Sequence, residues 1–268
     1  MTNIYFELTE ELNAEGSIVV LTSGQAVVYY RISMMSKDGD WILRETPEAC
    51  QRVLAVLERH GARYRPGAPL DVRWLAGGWS SHFELTDPEQ RRIRCDFLSR
   101  PPRVTAEELA RIFADQAAPN DLLVLDVEPL IRMKQTQRAK DYPVIGELAR
   151  LLPPEREVEL TTDPDRILAL APTYGKSSQR PPVRAALTTG SRDAVVVELA
   201  RETDRLQQED RLRLERYKAA SDNYLRAFQT ARIADLDLPE AHRALCGLAE
   251  HLLPPDPLGM EEGHGAAQ

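Results

Sequence analysis

The strongest constraint on the fold is the alternation of short apolar runs with helix signals through residues 1 to about 155. Ile18-Val-Val-Leu-Thr22 is too short for a buried helix and predicts a buried strand. Ser23-Gly24 interrupts it, and residues 25–33 (QAVVYYRIS) predict a short apolar helix. A polar loop at Met34–Lys37 leads to a second strand, Asp38–Leu43. Thr46-Pro47-Glu48 opens a helix: a hydroxyl cap, proline at the first helical position, and an acid in the first turn. It runs to His60, and Gly61 stops it. Strands are expected at Val72–Leu75, His82–Leu85 and Arg92–Leu98, with turns at Gly77-Gly78 and Asp87-Pro88. Thr105-Ala-Glu-Glu108 is a capping box that opens a helix to about Ala114. Leu122–Val127 predicts a further strand, followed by helices over Glu128–Thr136 and Asp141–Leu152. Strands and helices mixed in this order imply an α/β (α+β) domain with a short mixed sheet.

Pro153-Pro154 ends that unit, so one domain is expected over residues 1–155. Residues 156–252 read as a helical domain, with a Pro-, Ser- and Thr-rich connection around 172–190. A long helix begins near Arg192. Within Arg201–Lys218, 11 of 18 residues are charged. Leu206, Leu214, Tyr217, Tyr224 and Phe228 thread them as one apolar stripe. A last helix spans about Pro239–Leu253, and residues 253–268 are expected to be a disordered tail.

Composition narrows the function. With 34 Lys+Arg against 42 Asp+Glu, the net charge is −8, which disfavours broad nucleic-acid coating, since that needs clustered cations. No run of about 18 apolar residues is present to span a membrane. The acidic start MTNIYFELTEEL lacks a signal-peptide pattern. Cys50, Cys95 and Cys246 lie too far apart for a disulfide framework or zinc site. A cytoplasmic protein is expected.

The sharpest local pattern is Lys37-Asp38-Gly39-Asp40-Trp41. On a strand, Asp38 and Asp40 share a face. Two carboxylates that close suit a hard cation such as Mg²⁺. Asp96, a lone acid in the apolar run Ile93–Leu98, is the candidate third carboxylate, and with it two ions could bridge the site. Asp-Gly is also a strong hairpin signal, so a plain turn is the competing reading. His82 beside Ser80-Ser81 reads as a hairpin residue, because no base–orienter order is visible around it. Trp41, Trp74 and Trp79 read as core.

Apolar strand, Ser23-Gly24, short helix, polar loop and Asp-x-Asp together resemble the first motif of the nucleotidyltransferase fold superfamily. Ser36-Lys37 matches the hydroxyl-bearing and basic residues before the acidic pair. Lys134 and Lys140-Asp141, within 125–151, are similar to the closing helices of small bacterial members of the toxin–antitoxin and antibiotic-modifying type. The resemblance covers about 17–152. Two positions depart from it: Gly39 stands where an apolar residue is usual, and Met34 where an arginine is often found.

The resemblance implies transfer of a nucleoside monophosphate from a nucleoside triphosphate to an acceptor hydroxyl, with pyrophosphate released. It implies Asp38, Asp40 and Asp96 as Mg²⁺ ligands and catalytic residues, Asp96 doubling as general base. It implies Ser23, Gly24, Ser36, Lys37 and Lys134 as nucleotide-binding residues. The acceptor stays open: small molecule, protein or RNA. The alternative is a non-catalytic, antitoxin-like or regulatory module that binds a nucleotide or a protein partner through its helical half.

Overall fold

The computed structural model describes residues 3–87, 89–114 and 122–259. The chain divides into two compact units. The first comprises residues 1–28, 35–125 and 214–268, and the second 29–34 and 126–213. The boundaries fall at Leu125/Asp126 and Arg213/Leu214 rather than at Pro153-Pro154. Pro154 instead starts a helix that packs on its predecessor, as proline does at a first helical turn.

The first unit begins with α1 (Ile4–Leu12), which Asn3 caps by accepting from the Tyr5 amide. Sequence reading missed this helix among its acids, although Tyr5, Leu8 and Leu12 recur at helical spacing and are all buried. β1 (Val19–Thr22) follows, then α2 (Ser23–Tyr29), β2 (Asp38–Leu43), α3 (Pro47–Arg59) and β3 (Arg63–Tyr64). Thr46 caps α3 as expected. Val72–Leu75 is a short helix, α4, and not a strand. Asp71 accepts from the Arg73 amide, and that cap outweighs the strand preference of Val72 and Trp74. β4 (Ser80–Thr86), β5 (Arg92–Leu98) and α5 (Ala106–Ala114) complete this segment.

The sheet runs β1-β2-β5-β4-β3. β2 and β5 are parallel, and the other neighbours are antiparallel. The expected strand at 122–127 shrinks to a single parallel bridge, Leu21 to Val124. Asp126 already flanks the next helix and ends the run.

Alternation divides the sheet into two faces. An aromatic row crosses the inner face. Trp41 stacks on Phe97 at 5.1 Å between centroids, Phe97 meets Phe83 edge-on at 5.8 Å, and Phe83 meets Tyr64 at 4.4 Å. All four rings are buried. Each contributes about 1.5–3 kcal/mol of burial. The core extends through α1 and α3 to Tyr224, Phe228, Leu245 and Leu253. Gly39 lies on this inner face. A Cβ there would stand 2.4 Å from both the Trp41 and Tyr5 rings, so the aromatic packing accounts for glycine at this position.

The second unit contains α6 (Val127–Lys134), α7 (Tyr142–Ala149), α8 (Pro154–Leu160), α9 (Pro164–Tyr174) and α10 (Pro181–Thr189). Its core gathers Val158, Ile167, Ala171, Val183 and Val195. α10 occupies what looked like a connection, because Pro181 and Pro182 sit in a first turn where proline is tolerated. The long helix α11 runs from Arg192 to Thr230, its earlier part counted with the second unit and the rest with the first. α12 (Leu238–Leu252) packs on β3 and α3.

Residues 253 and 254, at the start of the expected tail, are held in place. Leu253 is buried, and its carbonyl accepts from the Trp74 indole, while the Pro254 carbonyl accepts from Trp79. Residues 260–268 of the expected tail, and Pro88 of the expected turn, lie outside the described residues. The structure thus holds the expected class: a mixed α/β domain with a short mixed sheet, and a helical C-terminal region. Among the described residues, no helix is long and apolar enough to cross a membrane.

Candidate carboxylate site on the outer sheet face

The half-buried outer face carries the predicted acids. Register pairs Thr22 on β1 with Asp40 on β2, Asp40 with Asp96 on β5, and Asp96 with His82 on β4. A polar row therefore crosses four strands, opposite the aromatic row. Asp38 sits one pleat along from Asp40 and pairs with Arg94. The Lys-Asp-Gly-Asp stretch is strand and not a hairpin turn from Asp38 onward.

Asp38 Oδ1 is shielded from solvent and accepts no hydrogen bond among the described residues. The nearest cation, Arg94 Nη1, lies 3.6 Å away. Asp96 is engaged differently: its Oδ1 accepts from Arg65 Nη1 at 3.3 Å and lies 2.9 Å from His82 Nδ1. Tyr5 donates to the Lys37 carbonyl at 2.6 Å. Burial, the largest cause, and then the nearby Asp38 carboxylate push the Tyr5 phenol up to about 12, so it stays a neutral donor at pH 7.

The turn after β1 reaches the same place. Ser23 takes a left-handed backbone (φ 53°) and starts α2 directly. Gly24 packs against Ser36, and a Cβ on Gly24 would stand 2.2 Å from Ser36 Oγ. Gln25 Nε2 donates to the Ser36 carbonyl at 2.9 Å. Ser36 Oγ in turn reaches the Asp38 carbonyl at 3.4 Å. Ser23-Gly24, Ser36 and Asp38 are thus one local assembly within the first unit.

Lys37 is exposed. Lys134 belongs to the second unit. It is buried, 8% exposed, with Nζ 4.0 Å from Asp141 Oδ1. Asp141 also accepts from Thr136 Oγ1 and pairs with Arg138. The two matched positions, Lys134 and Asp141, therefore meet in one buried ion pair.

The donor set suits Mg²⁺ in kind. It offers two carboxylates on one strand face, one of them with a shielded oxygen that no hydrogen bond reaches. Among the described residues, no group of three or more His, Cys, Asp or Glu is placed to hold a metal ion. Mg²⁺ asks for less from a protein. It takes one or two carboxylates, with waters and substrate phosphates filling the other positions.

Comparison with known proteins adds little weight. No protein-family profile and no curated protein sequence matches the chain. Two solved structures from Helicobacter pylori align with it. One is a proposed nucleotidyltransferase, 13% identical, with a TM-score of 0.39, covering 78% of this chain and 95% of that one. The other, JHP933, is also 13% identical with a TM-score of 0.39, covering 80% and 94%. Likeness at this level assigns no activity to the chain.

Proposed function

We propose that the first unit is a Mg²⁺-dependent nucleotidyltransferase, moving a nucleoside monophosphate from a nucleoside triphosphate to an acceptor hydroxyl. One observation carries the reading: Asp40 and Asp96 are register partners on adjacent parallel strands, with Asp38 on the same face. The Ser23-Gly24 turn and Ser36 abut this strand.

Asp38 and Asp40 would hold one Mg²⁺, which when bound neutralises triphosphate charge. Ser23 and the Gly24 amide contribute hydrogen-bond donors for phosphate oxygens. Asp96, ion-paired with Arg65, is the proposed acceptor of the hydroxyl proton. Lys37, exposed beside Asp38 in the first unit, is the candidate partner of the outgoing pyrophosphate.

The test is direct. Incubate the protein with each α-labelled triphosphate, Mg²⁺ and a cell extract, and follow label transfer. Transfer that vanishes in Asp40→Asn and on adding a chelator supports the reading. Absence of transfer with all four nucleotides, together with no Mg²⁺-triphosphate binding by calorimetry, would sink it.

A further inference from the structure

The outer sheet face carries a second constellation, adjoining the acidic pair but needing neither metal nor nucleotide. Ser80 and His82 are two residues apart on β4 and share its outer face. Ser80 Oγ lies 3.1 Å from His82 Nε2. The other ring nitrogen, Nδ1, lies 2.9 Å from Asp96 Oδ1. Nδ1 is shielded from water and makes no aligned hydrogen bond, so a small turn of the Asp96 carboxylate would supply the partner it lacks. Arg65 also reaches Asp96 Oδ1. The order is hydroxyl, imidazole, carboxylate, each within reach of the next. That is the arrangement that activates a serine, wherever it occurs on a fold. Such contacts are often loose in the free protein and tighten when a substrate binds.

Two features hold the ring in place. A Cβ on Gly67 would stand 2.4 Å from His82 Cδ2, so the 67 backbone abuts the imidazole edge. The Arg65 amide donates to the His82 carbonyl, and the Ala68 amide to the Ser80 carbonyl. The segment 65–68 therefore lines β4 and brings the Arg65 guanidinium beside the trio. A planar guanidinium suits phosphoryl oxygens. The Arg65 guanidinium beside Asp96 favours a phosphoryl over an acyl electrophile.

We propose that Ser80 is a reactive nucleophile, activated by His82 and Asp96, that accepts a phosphoryl group from an electrophilic phosphorus compound. A bond forms between Ser80 Oγ and phosphorus, and the bond to the leaving group breaks with its electron pair on that group. The hydroxyl proton passes to His82 Nε2, and the Asp96 carboxylate faces the imidazolium that results.

A fluorophosphonate probe tests this, with fluoride as the leaving group. The full-length protein is incubated with the probe without Mg²⁺ or nucleotide, digested, and mapped by mass spectrometry. The expected adduct is on Ser80. It is absent in Ser80→Ala and unchanged in Ser81→Ala, whose hydroxyl is buried on the opposite face. Labelling slows about a hundredfold in His82→Gln, the scale of a lost general base. It also slows in Asp96→Asn, which keeps the side-chain shape. Circular dichroism establishes that each variant is folded. No adduct on Ser80, or equal labelling of folded His82→Gln, overturns the proposal. Neither result bears on the nucleotide reading, because the probe needs neither metal nor triphosphate.

Discussion

Asp40 on β2 stands in register with Asp96 on β5, across the junction where two strands run parallel. Their surroundings differ. Asp38, one pleat from Asp40, has a shielded oxygen without a hydrogen bond, whereas Asp96 is held by Arg65 and approached by His82. Under the proposed function, Asp38 and Asp40 bind the cation. Mg²⁺ with a triphosphate should then raise the melting temperature of the protein. At one hundred times the dissociation constant the stabilisation is about 2.7 kcal/mol. Asp38→Asn and Asp40→Asn should each abolish the rise in a thermal-shift assay. An undiminished rise in both would remove the cation from this pair.

Gly24 and Ser36 offer a packing test. Gly24→Ala would drive its methyl to 2.2 Å from Ser36 Oγ and 2.9 Å from Ser36 Cβ. Overpacking of this kind costs about 1–3 kcal/mol. Ser36→Gly removes both clashing atoms, so the double variant should recover most of the loss. The urea midpoints of the two single variants and the double variant form the cycle. A double variant no better than Gly24→Ala alone would refute the contact.

His242 should make stability depend on pH. Burial, the largest cause, holds its imidazole below the ordinary histidine value. Tyr64, fully buried and with its phenol raised well above the usual range, lies 2.8 Å from His242 Nδ1. A neutral ring accepts that hydroxyl, and a protonated ring cannot. The unfolded chain binds the proton near pH 6.5, whereas the native state resists it until lower pH. This contribution is therefore present above about pH 6.5 and is lost as pH falls through the lower, folded value. Urea midpoints at about pH 5.5 and 7.5 should differ less in His242→Gln than in the parent. An identical pH dependence would exclude His242 as a source.

Arg180 should be the most sensitive ionic position of the second unit. It donates to both Glu202 carboxylate oxygens and to the carbonyls of Val158 and Thr161. Its side chain is 10% exposed and that of Glu202 18%. Arg180→Met leaves a largely buried carboxylate and two carbonyls without their donor, at about 3–5 kcal/mol. Calorimetry of the variant gives the number, and a loss under about 1 kcal/mol would mean solvent replaces the arginine freely.

The legible parts of the fold were those with local chemistry. The Thr46 cap with Pro47, the Thr105–Glu108 capping box and the alternation of Arg92–Leu98 each name their element within a few residues. The Asp38/Asp40 face was legible for the same reason, since it depends only on strand period. What hid was decided at a distance. Val72–Leu75 has strand-like residues and becomes helix through one cap. Ser80, His82 and Asp96 come together through β4–β5 register, which no local spacing encodes. The role of Gly39 depends on the Tyr5 and Trp41 rings and is invisible without them.

The anchoring of Trp74 and Trp79 to the backbone of Leu253 and Pro254 has a consequence for the order of synthesis. The sheet strands leave the ribosome early, but their core includes Tyr224, Leu245 and Leu253. Residues 126–213 are a nearly unbroken stretch and carry their own apolar cluster. Domains normally mature from the N-terminus onward during translation. In this chain the later segment can close first, and the unit bearing the carboxylates waits for residues translated after it. Ribosome-stalled chains ending near residue 235 should therefore protect the helices of 126–213 from protease while the strand segments remain cleavable.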